Sequence, residues 1–403
     1  MDAYAGLRVI EVSGDPGGEY TGKLLADMGA DVVKVEPPGG SPTRRTGPFA
    51  GDVEGPENSL TFWFYNGGKR SVVLDWTGED RAAFEDLVAG ADVLLIGLRP
   101  SEAAAAGLDY DLLLEAHPRL VVLSVTPFGL TGPWADYRSS DLVALAAGGP
   151  LMSCGYDDHS IPPIRPGGNQ GYHTAASFAH TGLLMALLER RLSGLGQLVD
   201  VSMHESLAVT VELANPYWFY PRVLVQRQTC RHAQPVNTQP TLFRCGDDRW
   251  IYFALILADH KPWNALVEWM DEQGLAADLV APEYGGLEHR QRNFDHVQEV
   301  IECFFLLQDS ATVYHEGQRR GLPIGPLYAL EDLLEDEHLT ERRFFAPVEL
   351  DEGRSALFPT SPYRFSAAPP SAPGRPPRLG EHTAEVLRAV DDASSSAPVE
   401  AGR

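Results

Sequence analysis

Few side chains in this 403-residue sequence stand in arrangements that could do chemistry, and the clearest is the loop SGDPGG at residues 13–18. Gly14, Gly17 and Gly18 would let the free N–H groups of a helix N-terminus approach an anionic group. Glu19 follows, either as a general base or as an acid that complements the helix dipole. His173 comes just after the turn PGGNQG and falls in the first turn of a long helical pattern. There an imidazole stays neutral and can polarise a carbonyl or pass a proton; a hydrogen-bonded core histidine is the plainer alternative. Two pairs of cations, Arg44 with Arg45 and Lys69 with Arg70, flank apolar runs and read either as holders of a phosphorylated ligand or as solvated surface pairs. Lys34 and Glu36 close another such run. Glu36 falls where a dinucleotide fold keeps its ribose-binding acid, although the glycines are not spaced as G-x-G-x-x-G. P-loop, HExxH and GxSxG patterns are missing. Cys154, Cys230, Cys245 and Cys303 are too widely spaced for a zinc cluster or a disulfide framework, so no metal is expected.

These residues need elements to position them, and the first third supplies an alternation of strand and helix. Residues 7–12 read as a strand, 20–28 as a helix and 31–36 as a second strand. The pattern repeats with strands at 71–75, 93–96 and 120–125 and a helix at 81–88. Turns dominate 126–171, around one helix at 141–147. Residues 172–192 form the longest helical pattern, apolar on nearly every side and so expected to be buried on most of them; a strand at 197–202 follows. Past residue 223 the character changes to a strand at 250–258 and surface helices at 263–274 and 294–307. We expect a large α/β domain with a parallel sheet over 1–222, a smaller α+β domain over 223–330, a return to the large domain over 331–390 and a disordered tail over 391–403. Residues 368–379, rich in proline, read as an extended strap.

Composition excludes whole classes of function. Lys and Arg number 32 against 56 Asp and Glu, a formal charge of −24 that argues against a nucleic-acid partner. The 44% hydrophobic fraction is that of a globular chain with a core. No apolar run approaches the roughly 20 residues that cross a bilayer, and the opening MDAYAGLRVIEV lacks a basic leader; a cytoplasmic protein without a membrane partner is expected.

Taken together, LLADMGADVVKVEPPGG (24–40), NGGKRSVVLD (66–75), FGLTGPW (128–134), SGLGQLVDVSMHESL (193–207), GLPIGPL (321–327) and LGEHTAEVL (379–387) resemble the family III CoA-transferases, the group that includes formyl-CoA transferase and α-methylacyl-CoA racemase. The resemblance implies a Rossmann-like large domain, an interlocked homodimer, coenzyme A or an acyl-CoA as ligand and a carboxylic acid as co-substrate. It also implies an aspartate nucleophile near the start of the long helix, which forms first an anhydride and then an aspartyl thioester with CoA.

Counting back from GLLMALLERRLSGLGQ puts that aspartate at Tyr172, or at Gly171 after a one-residue slip, and no Asp or Glu lies between Arg165 and Leu188. The racemases' histidine falls at Ser140. The family's ENFRPG…ERLG segment reads IGLRPSEAAAAG, which keeps Arg99 but loses the second arginine to the run 103–106, and RHAQPVNTQP (231–240) replaces a glycine-rich covering loop. Three functions follow as expectations. One is CoA transfer through another carboxylate, Glu19, Asp157 or Asp158. The second is isomerisation or a related reaction of an acyl-CoA using His173, Tyr172 or Glu19, with Gly17 and Gly18 as an oxyanion hole. The third is a binding or scaffold subunit that has lost the chemistry. In each active case Lys34, Arg44, Arg45, Lys69, Arg70 and Arg99 are the cations available to CoA.

Overall fold

The computed structural model describes residues 3–211, 214–229, 231–233, 241–253, 260–351, 353–367 and 372–396. The chain divides into two compact units. The first comprises residues 1–150, 167–210 and 337–403, and the second residues 151–166 and 211–336.

In chain order the first unit contains β1 (Arg8–Val12), α1 (Pro16–Ala26), β2 (Asp31–Glu36), α2 (Leu60–Asn66), β3 (Arg70–Val73), α3 (Arg81–Ala89), β4 (Val93–Ile96), α4 (Pro100–Ala105), α5 (Tyr110–Ala116), β5 (Val121–Thr126), α6 (Asp141–Ala147), α7 (Gln170–Ser193), β6 (Leu198–Ser202) and α8 (Met203–Ala208). The six strands form one parallel sheet in the order β3-β2-β1-β4-β5-β6. The chain winds outward from β1 to β3, then restarts beside β1 at β4 and winds the other way. The crevice at the carboxyl ends of β1 and β4 is therefore the point where strand order reverses, the place where open α/β sheets bind ligands. Val9, Ile10, Leu94, Leu95, Val121 and Val122 are fully buried, as expected of strands covered on both faces, and each stabilises the unit by about 1.5–3 kcal/mol relative to an exposed side chain.

Helix α1 starts earlier than the glycines suggest. Asp15 takes the N-cap position, Pro16 the first helical position, and Gly17 and Gly18 lie inside the first turn. Helix α7 has a buried side of Ala175, Ala176, Ala179, His180, Leu183 and Ala186. Contrary to the expectation of burial on most sides, Phe178, Met185, Leu188 and Leu192 are exposed in the single chain, Leu192 by 85%.

The second unit contains α9 (Ala214–Phe219), β7 (Gln226–Gln228), β8 (Arg231–Ala233), β9 (Leu242–Arg244), β10 (Trp250–Phe253), α10 (His260–Glu272), α11 (Leu287–Arg292), α12 (Phe294–Leu306), α13 (Ser310–Arg319), β11 (Ile324–Pro326) and α14 (Asp332–Glu335). An antiparallel sheet β11-β10-β9 packs with these helices around Phe243, Phe253, Trp263, Trp269, Phe304 and Phe305. Residues 254–258 of the expected strand, Cys230 and most of the expected covering segment 231–240 lie outside the described residues, as do 368–371 of the proline-rich strap.

The first unit then resumes with α15 (Glu337–Glu341), an antiparallel hairpin β12 (Phe345–Asp351) and β13 (Arg354–Pro359), and α16 (Thr383–Ser396). Residues 380–383 close the edge of the parallel sheet: His382 Nδ1 accepts from Ser71 N and Thr383 Oγ1 from Val73 N, groups an open edge would leave unpaired. Helix α16 runs to Ser396, past residue 391 where a disordered tail is expected from the sequence. Val386, fully buried against the sheet side, anchors it. Residues 397–403 lie outside the described residues. No helix among the described residues is long and apolar enough to cross a membrane.

Candidate active site

A cavity of about 360 Å³ opens at the carboxyl ends of β1, β4 and β5. Asp15 and Gly17 reach it from the turn after β1, Gly97, Arg99 and Glu102 from the turn after β4, and Thr126, Pro127, Arg138 and Ser139 from β5 and the loop behind it. Tyr172 and Ala175 of α7 and Met203 of α8 complete the wall. The site is thus lined from one unit at the switch point of its sheet, with α7 packed along α1 to form one side. Gly17 permits that approach, since a Cβ there would come within 3.1 Å of the Tyr172 ring.

Of the expected site residues, only Gly17, Arg99 and Tyr172 line this cavity. The Gly17 and Gly18 N–H groups are not an open oxyanion hole, because both donate to Asp15 Oδ1, at 2.7 and 3.3 Å. Tyr172 has its phenol pushed well above the ordinary value by burial and by the nearby Asp15 and Asp141 carboxylates, so it is a hydrogen-bond donor rather than a phenolate. Arg99 donates to Asp136 O at 2.7 Å and pairs with Glu102.

Helix α7 presents Tyr172 to the cavity, but His173 is not among the lining residues. Its Nε2 lies 3.0 Å from the Tyr65 hydroxyl, which accepts from Asn169 Nδ2 at 2.9 Å, and its ring packs 4.3 Å from that of Tyr20. With Asn169 on the phenol oxygen, the Tyr65 O–H donates to Nε2 and leaves the imidazole neutral. Burial also pushes His173 below the ordinary imidazole range. The imidazole is half-buried, with Nε2 occupied by Tyr65, and stands outside the cavity lining.

Glu19, Lys34, Lys69 and Arg44 depart furthest from expectation. Lys34 spends its three donors on Glu11 Oε1 (3.0 Å), Glu19 Oε1 (2.9 Å) and Ser13 O (2.9 Å). Lys69 spends its three on Glu11 Oε2 (2.7 Å), Glu19 O (2.7 Å) and Asn66 Oδ1 (2.9 Å). Glu19 additionally accepts from Thr43 Oγ1 and Asn66 Nδ2. Arg44 grips Glu36 through Nε and Nη2 and gives its remaining donors to Pro56 O, Glu57 and Pro377 O. With every N–H used, an ammonium or guanidinium has none left for a phosphate. Glu36, held also by Ser71 and the Ser41 N–H, is equally closed to a ribose. Arg70 pairs with Asp31 and Glu385. Arg45 is exposed and donates to Gly39 O, away from the cavity lining.

Asp15 and Arg138 are the residues that sequence reasoning missed. Asp15 Oδ2 accepts no hydrogen bond among the described residues, and burial pushes its carboxyl up to about 6 despite the two N–H donors on Oδ1. The local signal was present, since Asp before Pro-Gly-Gly at a strand end marks an N-cap. Arg138 makes no hydrogen bond or ion pair among the described residues and stands exposed on the cavity rim. Nothing local distinguishes it from other loop cations.

A six-stranded 3-2-1-4-5-6 sheet with a cavity at its switch point defines a doubly wound α/β protein with a ligand-sized crevice at the strand ends. Within that class the chain belongs to CoA-transferase family III, whose model matches residues 4–383. Its relatives include the succinyl-CoA:(R)-benzylsuccinate CoA-transferase subunit BbsE of Thauera aromatica, 33% identical over 95% of this chain and 93% of that one. Others are the succinyl-CoA:mesaconate CoA-transferase of Haloarcula hispanica, 32% identical over 96% of both chains, and the succinyl-CoA–L-malate CoA-transferase beta subunit of Chloroflexus aurantiacus, 30% identical over 96% and 93%. The structure of a CAIB/BAIF family protein from Brucella suis superposes with a TM-score of 0.82 at 25% identity, over 97% of this chain and 100% of that one.

Proposed function

We propose that the chain binds a CoA thioester in the cavity at the carboxyl ends of β1, β4 and β5 and serves the transfer of CoA between carboxylic acids. The observation that carries this reading is Arg138: a cation with no hydrogen bond or ion pair among the described residues, on the rim of a cavity at the sheet's switch point. Guanidinium groups suit phosphates because their donors match two oxygens at once, and Arg99 lies in the same wall. Relatives that act with succinyl-CoA support a short dicarboxylic acyl group as the donor. Two of the relatives named above are subunits of their enzymes, and the exposed apolar side of α7 supports assembly with a second chain. A reaction through His173 is not favoured, given that its ring nitrogen is saturated by Tyr65 outside the cavity.

Thermal denaturation with and without ligand tests this. A ligand that binds only the folded state raises stability by about 2.7 kcal/mol at 100 times its Kd, so free CoA and succinyl-CoA should both raise Tm. Arg138→Ala should keep the Tm of the free protein and weaken CoA binding roughly tenfold, the loss of a charge-assisted hydrogen bond. Absence of any response to either compound would overturn the reading.

A further inference from the structure

The geometry points to Asp15 as the nucleophile of this chain, in place of the aspartate missing from the start of α7. The inference rests on the reading that the cavity takes a CoA thioester, and it goes beyond it by assigning the covalent step to a residue in a different element.

Asp15 combines three properties that no other carboxylate of the cavity shares. It lines the cavity, whereas Glu19 is sealed below; it leaves one oxygen without a donor, whereas Glu102 is tied to Arg99; and it has its other oxygen held in place. Oδ1 receives Gly17 N and Gly18 N at the N-terminus of an 11-residue helix. Oδ2 lies over Gly97, where a Cβ would come within 3.1 Å of it, so the glycine leaves that side open. A half-satisfied carboxylate in a partly buried position costs stability unless something else uses it. Burial also leaves the carboxyl more basic than an ordinary aspartate, which favours nucleophilic attack while keeping it largely ionised at neutral pH.

The chemistry closes without any oxidant or added proton. Oδ2 attacks the thioester carbonyl of the donor; the C–S bond breaks and its electron pair leaves with CoA thiolate, giving an acyl–aspartyl anhydride. The thiolate attacks Cγ of Asp15 and expels the donor carboxylate, which carries Oδ2 away and leaves an aspartyl–CoA thioester. The acceptor carboxylate attacks the same Cγ and releases the thiolate. The thiolate then attacks the acceptor carbonyl, forming the new thioester and restoring the Asp15 carboxylate. In both attacks on Cγ the negative charge develops on Oδ1, the atom already bound by two backbone N–H groups. Those donors, which cap the helix in the free protein, are then an oxyanion hole for the aspartyl intermediates.

The test uses the full chain incubated with succinyl-CoA, then treated with borohydride, which reduces an aspartyl thioester to homoserine, and mapped by mass spectrometry. The expected result is homoserine at position 15, absent after Asp15→Asn and Asp15→Ser. Both variants supply an N-cap oxygen, so neither should melt below the parent chain and a folding defect cannot imitate the loss. Stabilisation by succinyl-CoA without modification of Asp15, or with modification of a different acid, overturns this assignment and leaves the binding reading intact. No stabilisation by any CoA species removes the binding reading and this one together.

Discussion

Two groups of charged side chains meet the start of α1, one through Glu19 and the other through its N-cap Asp15, and they differ in what they leave unused. The buried group joins Glu11, Glu19, Lys34 and Lys69, two carboxylates and two ammoniums with no net charge and every ammonium donor spent on a protein acceptor. The cavity group holds Asp15 with one oxygen open and Arg138 with no hydrogen bond or ion pair among the described residues. Residue type does not separate them, because both contain acids and cations at strand ends. Unspent hydrogen-bonding capacity does: a saturated ion is part of the scaffold, and an unsaturated one is available to a ligand.

The largest effect that would test this contrast is on stability. Glu11→Ala leaves Lys34 and Lys69 buried without their shared partner, and removing one member of a buried ionic group costs about 3–5 kcal/mol. The packing admits no easy substitute, since the Glu11 carboxylate occupies the space that a Cβ on Gly22 would fill. Urea denaturation at pH 7 should show that loss, with the removal of Arg138's side chain as the contrasting near-neutral change. A loss below about 1 kcal/mol for Glu11→Ala would show that solvent reaches the cluster, and the division into closed and open groups would fail.

A somewhat smaller effect appears in acid. Burial raises the Glu36 carboxyl, but the hydrogen bonds and charge of Arg44, with Lys34 and Ser71, outweigh it and bring it down to about 2 from 4.5. A depressed carboxyl contributes stability above its unfolded value and loses it as pH falls through the folded one. The contribution, about 3 kcal/mol, is therefore complete above pH 4.5 and declines toward pH 2. Glu36→Gln should be markedly less stable than the parent chain at neutral pH, and the gap should narrow across that window. A gap independent of pH would assign the loss to packing instead of charge.

Much of the fold was legible because it rests on local patterns. The strand and helix periods of residues 7–125 set the parallel sheet, and Glu11 and Lys34, opposite each other in the β1–β2 register, share a face once that register is known. What could not be read locally was the fate of each cation. Lys69 is sealed by Glu11, 58 positions away, and Arg44 by Pro377, 333 positions away; no pattern around Lys69 or Arg44 announces those partners. The N-cap at Asp15 was written in the sequence, but its open oxygen depends on Gly97 from the turn after β4. His173 misled for a related reason. Its place in the first turn of α7 was legible, whereas the direction of its ring is set by Tyr65 and Tyr20, from α2 and α1.

The smallest predicted effect has the opposite sign to that of Glu36 and so sharpens the comparison. Burial lifts Asp15 to about 6 from 3.8. A raised carboxyl gives stability that is fully present below the unfolded value and is lost as pH rises through the folded one. The parent chain should therefore lose stability relative to Asp15→Asn between pH 3.8 and about 6. That loss is at most about 3 kcal/mol, and the residue's remaining contact with cavity solvent reduces it. Asparagine can still accept from the Gly17 and Gly18 N–H groups, so the helix cap is common to both proteins and cancels in the difference. Tm measured for both across this range should converge in acid and diverge at neutral pH, with the variant the more stable. If Asp15→Asn is instead the less stable at neutral pH, the ionised carboxylate is earning its place through the helix dipole, and Asp15 belongs with the closed scaffold rather than with the cavity.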